Sequence, residues 1–187
     1  MAENADKMDL RYIKTEKALD AAIRSLLEKR NFGKITVNDI CTSALISRAS
    51  FYARYTDKYD FLENWLEHTT PKGLTYDMPY EEIEKPINEF VFENKALIKN
   101  IVHDADKETQ DILLRIVLSF LKVTAGPVRF DSAPEEIIFH SIYAGGLMNY
   151  IFWQVKNNFP AAVPPMNELL YKAIEKCHEI RPGGEET

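Results

Sequence analysis

Two helix-capping residues, Thr36 and Ser47, stand close together in the stretch ITVNDICTSALISRASFYARY, and each opens a short apolar pattern with helical spacing. After Thr36, the residues Val37, Ile40, Cys41 and Ala44 follow the i, i+3, i+4, i+7 rule; after Ser47, Phe51 and Tyr55 share one face. Helices this short do not persist alone in water, because each must offset its own nucleation cost. A third element therefore has to clamp them at an angle. The outer face of the second one carries Arg48, Ser50, Tyr52 and Arg54, all hydrogen-bonding types.

The clamp is available just upstream. From Asp9 to Lys29, Ala18, Ala22 and Leu26 form one i, i+4 row and Leu19, Ile23 and Leu27 its neighbour, while the residues before Asp9 read as a disordered tip. RNFGK ends that helix, with Gly33 suited to a left-handed terminus. Ala22, Ile23 and Leu26 with Val37, Ile40, Cys41, Ile46, Phe51 and Tyr55 make a small core. A cap, a short helix, a tight turn, a second cap and a second short helix constitute a helix-turn-helix pattern. Periodicity alone leaves open a plain helical hairpin with a solvated polar face.

Charge divides along the chain. Ten basic against five acidic side chains lie between Arg11 and Lys58; twelve against eighteen lie beyond Thr70, within a net charge of −6. A basic head and an acidic remainder suggest that only the head meets a polyanion. Two cysteines, Cys41 and Cys177, are too few for a disulfide framework. The charged start MAENADKMDLRYIK is unlike a signal peptide, and no apolar run reaches the length of a membrane helix. The expectation is a cytoplasmic protein with no membrane partner.

The rest of the chain also reads as helices. Asp57 caps KYDFLENWLEH; TTPKGLTYDMP is a connector; Tyr80–Phe92 is interrupted by Pro86, which either kinks it or opens its main part. Asn94 is placed to cap a helix through Val102, Asp106 a longer one ended by Gly126 and Pro127, and Ser132 the apolar helix that FPAAVPP breaks. Met166–His178 closes the chain. Strand alternation of useful length is missing, so the fold class is all-α, with about eight to nine helices. The expected organisation is a three-helix helix-turn-helix domain over 9–56, a connecting helix and loop over 57–79, and a larger helical domain over 80–180.

The residues KITVNDICTSALISRASFYARYTDKYDFLENW closely resemble the N-terminal domain of the TetR family of transcriptional regulators. Matching features are Thr36-Val37, Ile40, Ala44, Ser47, Phe51-Tyr52, Tyr55, Lys58 and Leu62, together with the spacing from Arg11 to Leu27. YAGGLMNYIFWQVKNNFP is similar, more loosely, to a branch with a Gly-Gly pair in its penultimate helix. The resemblance implies a homodimer on a palindromic double-stranded operator, usually a repressor. It places Thr36 at a phosphate, Ser47, Arg48 and Ser50 in the groove, Tyr52 at the backbone or a thymine methyl, and Lys58 at a phosphate. Leu45 stands where the family often has Gly, and Ala49-Ser50 where Gly-Thr or Ser-Thr is common.

No catalytic constellation, cofactor motif or metal-ligand spacing is present in the sequence, so an enzyme is not expected. The apolar excess beyond Pro134 exceeds one core stripe; with Gly145-Gly146, Tyr150 and Trp153 it suggests a subunit interface, a buried central helix being the alternative. Aromatic residues spread over several helices suggest an apolar effector site formed by Phe90, Phe120 and Tyr143, with His140 or Gln154 as its polar handle. The same aromatics would otherwise fill the core, leaving a protein partner as the signal. Other readings are an activator of the same type and a helical interaction module without DNA binding.

Overall fold

A computed structural model describes the backbone of residues 2–70, 80–123, 131–160 and 164–179. The order is α1 (Ala2–Leu27), a 3₁₀ turn (Phe32–Lys34), α2 (Val37–Ala44), α3 (Arg48–Tyr52), α4 (Lys58–Thr69), α5 (Tyr80–Glu93), α6 (Lys95–Val102), α7 (Lys107–Val123), α8 (Ala133–Lys156) and α9 (Met166–Glu179). Among the described residues there is no strand. The connector 71–79 and the stop at Gly126-Pro127 lie outside the described residues.

Side-chain oxygens at the expected positions start the helices. Thr36 accepts from the Asp39 amide, Ser47 from Ser50, Asp57 from Tyr59 and Asp60, and Ser132 from Glu135. Asp106 accepts from the Thr109 amide at 2.9 Å. Each pairs an amide that the helix itself leaves without a partner. Four expectations change. Helix α1 starts at Ala2, not near Asp9. Gly33 has no positive φ; it sits inside the 3₁₀ turn. Pro86 lies inside α5 and does not open it. Asn94 precedes α6, but its Nδ2 turns back to the Phe90 carbonyl at 2.8 Å instead of capping.

Two apolar cores stack along the molecule. The lower one joins Leu19, Ile23 and Leu27 of α1, Ile40 of α2, Phe51 of α3, and Phe61, Leu62 and Leu66 of α4. Leu97 and Ile101 of α6 and Ile112 and Ile116 of α7 belong to that same core. The expected division at 57–79 is thus crossed by continuous packing. The upper core holds Ile87 and Val91 of α5, Val117 and Leu121 of α7, and Tyr143, Ala144, Leu147 and Ile151 of α8. Polar contacts reinforce the joint between head and body. Tyr59 Oη donates to Asp106 at 2.5 Å, Asn100 Nδ2 to the Leu27 carbonyl at 2.6 Å, and Arg115 makes a two-pronged contact with Glu63 at 2.6 and 2.8 Å.

Candidate nucleic-acid interface

Helix α2 carries a reciprocal cap. Thr36 Oγ1 accepts from the Asp39 amide at 3.1 Å, while the Thr36 amide and hydroxyl donate to Asp39 Oδ2 at 2.9 and 2.7 Å. These bonds, with Arg30 beside the carboxylate at 3.1 Å, hold Asp39 below the usual carboxylate range. The Thr36 amide and hydroxyl are therefore both bonded to Asp39, which supplies the anion at this helix start. The turn to α3 passes through Leu45 at φ 55°, ψ 39°, with its side chain 91% exposed. A leucine here bears left-handed strain, on the order of 1 kcal/mol, without any burial to offset it.

Helix α3 is held by what lies beneath it. Phe51 is fully buried and packs edge-on to Phe61, with ring centroids 5.7 Å apart. Burial of such a ring contributes about 1.5–3 kcal/mol. Tyr55 is buried beside it and donates to Glu16 Oε2 at 2.7 Å; burial first, then that carboxylate, pushes its phenol well above the ordinary value. With Phe51 fixed inward, Ser47, Arg48, Ala49 and Tyr52 face outward. The Arg48 guanidinium lies over the Tyr52 ring, 5.7 Å from its centroid, leaving its donor fork at the surface. Ser50 is half-buried, and its Oγ lies 2.8 Å from Ser47 Oγ.

Two basic residues are placed otherwise than the sequence suggests. Arg54 leaves the outer face: its Nη1 donates to the Ser50 carbonyl at 2.9 Å, its Nε lies 3.3 Å from Glu16, and it stacks over Tyr12. Lys58 Nζ donates to three carbonyls, Phe32 at 3.3 Å, Gly33 at 3.2 Å and Ile35 at 3.1 Å. Its ammonium thus closes the 3₁₀ turn in this structure. Ala49 was missed as a member of the outer face. Its exposure follows from lying two residues before Phe51, a signal that only the helix geometry makes readable.

In the body, Phe90 lines a wholly apolar cavity of about 60 Å³ with Leu66, Ile98, Ile116, Met148 and others. His140, Tyr143 and Gln154 are buried but do not line it, so they supply no polar handle there. The side chain of Phe120 lies outside the described residues. Of the expected interface residues, Trp153 is exposed and a Cβ at Gly145 would meet open space. Gly146 is exposed, though a Cβ there would lie 3.4 Å from Met166 Sδ, and the half-buried Tyr150 donates to the Pro164 carbonyl at 3.0 Å. Other exposed apolar residues on α8 and α9 include Ile137, Ile138, Ile142, Leu169, Leu170, Tyr171 and Ile174. Among the described residues no cluster of three or more His, Cys, Asp or Glu side chains is arranged to hold a metal ion, and no helix is long and apolar enough to cross a membrane.

No family model matches the chain. It is similar to an uncharacterized HTH-type transcriptional regulator, YxbF, of Bacillus subtilis (strain 168), at 32% identity over 94 residues, covering 46% of this chain and only 25% of that protein. A TetR transcriptional regulator from Streptococcus agalactiae 2603V superposes with a TM-score of 0.59 at 21% identity, over 92% of this chain and 98% of the other. The dihydroxyacetone kinase operon activator DhaS superposes with a TM-score of 0.53 at 16% identity, over 88% and 94% of the two chains. Nine helices among the described residues, in this order and around this helix-turn-helix, give the chain the fold of the TetR-family transcriptional regulators.

Proposed function

We propose that the protein is a DNA-binding transcriptional regulator that reads a palindromic operator as a homodimer. The observation carrying this reading is helix α3. Its inner residue Phe51 is completely buried while Arg48, Ala49 and Tyr52 stand exposed on the opposite side, capped at Ser47. A short rod fixed from beneath, with an arginine fork and a methyl group outward, suits guanine edges and thymine methyls in a major groove. Thr36 and Lys58 have these side-chain groups bonded within the chain, so a phosphate contact from either would compete with an internal bond. Selection from random duplexes by the purified protein, under heparin challenge, tests this. A two-fold symmetric enriched sequence is expected; no enrichment refutes it.

A second copy is the partner that the body's surface suits. Residues 168–176 of α9 are all exposed, and the isoleucines of α8 add an apolar face of a kind that monomers seldom leave to water. Two such helix pairs related by a two-fold axis make a four-helix contact. Control acts through the C-terminal helices. The apolar cavity is far below the roughly 300–1,000 Å³ of a ligand pocket, so a small apolar effector has to part the surrounding helices, and a protein partner is the alternative signal. A thermal-shift screen followed by DNA release on each hit separates the two. Repression is the usual outcome for this fold, yet DhaS shares the fold and is named an activator, so a reporter with and without the gene decides the sign.

A further inference from the structure

We infer that Glu84 is the positioning residue that fixes α9 on its own chain and so presents its apolar face to a second copy; the second half of this inference rests on the homodimer reading above. Every residue of α9 from Glu168 to Lys176 is exposed, and the buried residue of the helix among those described, Met166, stands at its start. Its direction must therefore be set where it begins.

Glu84 sits on α5, only 2% exposed. Its carboxylate accepts from the Met166 amide through Oε1 and from the Asn167 amide through Oε2, the latter at 2.8 Å. Those are amides of the first turn of α9, which the helix itself leaves unpaired and whose partial positive charge favours an anion. Asn88 Nδ2 supplies the remaining bond to Oε1 at 3.2 Å. Among the described residues no lysine or arginine pairs with Glu84, so the start of α9 is its main compensation for burial. The dependence is mutual. Without Glu84 the first amides of α9 lose their partner; with α9 displaced, a buried carboxylate is left with a single amide donor, which is costly.

Neighbouring contacts hold the same end and leave the far end free. Met166 is buried against Gly146, where a Cβ would lie 3.4 Å from its sulfur. Tyr143 Oη donates to Asn167 Oδ1 at 3.1 Å, and Tyr150 Oη to the Pro164 carbonyl at 3.0 Å. These fix distance from α8. Among the described residues, Glu84 is the side chain that accepts from the first two α9 amides, and so fixes the helix axis at its start.

The test is Glu84→Gln in the full chain, which keeps shape and one acceptor oxygen while removing the charge, alongside Glu84→Ala. Amide hydrogen exchange at the start of α9 and sedimentation over a concentration series are read together. Loss of a charged hydrogen bond predicts exchange at Met166 and Asn167 faster by about tenfold or more, and a dimer dissociation constant raised by a similar factor, with α1–α4 unchanged. If Glu84→Gln exchanges and associates like the wild type, the carboxylate only fills space and the inference is overturned while the dimer stands. If the wild type is itself a monomer, the homodimer reading and the presenting role fall together, and exchange still decides whether Glu84 anchors α9. Should Glu84→Ala fail to fold, the glutamine variant carries the decision.

Discussion

Lys58 separates a residue that binds DNA from one that builds the surface for it. Its ammonium has three N–H groups and three carbonyl partners at 3.1–3.3 Å, beside the rings of Phe32 at 4.8 Å and Tyr59 at 5.0 Å. These carbonyls belong to the 3₁₀ turn and its exit, so Lys58 does for this turn what a left-handed glycine does elsewhere. Replacing it with methionine keeps the apolar stem and removes the charged donor. A hydrogen bond that involves a charged group contributes roughly 1.5–3 kcal/mol, and the three here are long and share one ammonium. Burial, the largest influence on this amine, disfavours its charged form and lowers its pKa, with Asp106 and Asp57 opposing. The net loss is therefore placed near the lower end, at about 2 kcal/mol.

Because burial places the folded pKa below the unfolded one, the cost of burying the charged amine is fully present at pH 7 and is relieved only as pH rises through the folded pKa, so a measurement at pH 7 reads the hydrogen bonds net of that cost. With a urea slope of about 2 kcal/mol/M, Lys58→Met moves the unfolding midpoint down by about 1 M. The slope of log affinity for DNA against log salt stays as in the wild type. The opposite pattern refutes the reasoning. An unchanged midpoint with a salt slope smaller by about 0.9 means that Lys58 leaves its carbonyls and neutralises a phosphate.

Arg48→Ala leaves the unfolding midpoint unchanged but relaxes base preference at one position of each half-site, by on the order of tenfold or more, as a repeat of the selection shows. Leu45→Gly relieves left-handed strain with little burial to lose, and raises the melting temperature by about 1–2 °C after the greater chain entropy of glycine is set against it; a fall in calorimetry contradicts the strained turn. Glu63 is held below the usual carboxylate range first by its bond from Arg115, and Asp106 first by the Tyr59 hydroxyl. Depressed carboxylates contribute stability above their unfolded pKa, near pH 4, and lose it as pH falls through the folded value. The double variant Tyr59→Phe, Arg115→Met should therefore show a flatter acid limb in a pH series of melting temperatures. Ile142→Glu, on the exposed face of α8, should give a folded monomer by sedimentation, with operator affinity reduced in proportion to the lost pairing.

What the sequence discloses about this molecule depends on how far apart the interacting residues lie. Thr36, Ser47, Asp57 and Asp106 cap amides two or three residues away, and such short-range chemistry is visible in the string itself. Phe51 and Tyr55 are legible as core for the same reason, since a helical period decides which of them share a face. Arg54 and Lys58 look like any other exposed base in a basic head. Their actual partners are Glu16 and the Phe32–Ile35 carbonyls, and nothing local announces those contacts. Tyr150 was placed at an interface on apolar excess alone, and only the fold brings the Pro164 carbonyl beneath it.

Glu84 is the extreme case. In the sequence it is one acid among several in YEEIEKPINEF, indistinguishable from a solvated face, and its partners lie more than eighty residues onward. A buried carboxylate is intelligible only once the helix start it satisfies is known. The same holds for the border between head and body. Local periodicity divides α4 from α5 at a Pro- and Gly-bearing connector, yet Leu97, Ile101, Ile112 and Ile116 complete the core beneath the helix-turn-helix. Ile101 and Ile116 also line the small apolar cavity above, as does Leu66 of α4. One layer of side chains therefore belongs both to the cavity wall and to the core of the helix-turn-helix head, and a close-packed layer of this kind resists widening on one side without shifting on the other. If the proposed control works by enlarging the cavity, Leu66 of α4 is the shared contact through which the head would meet that change.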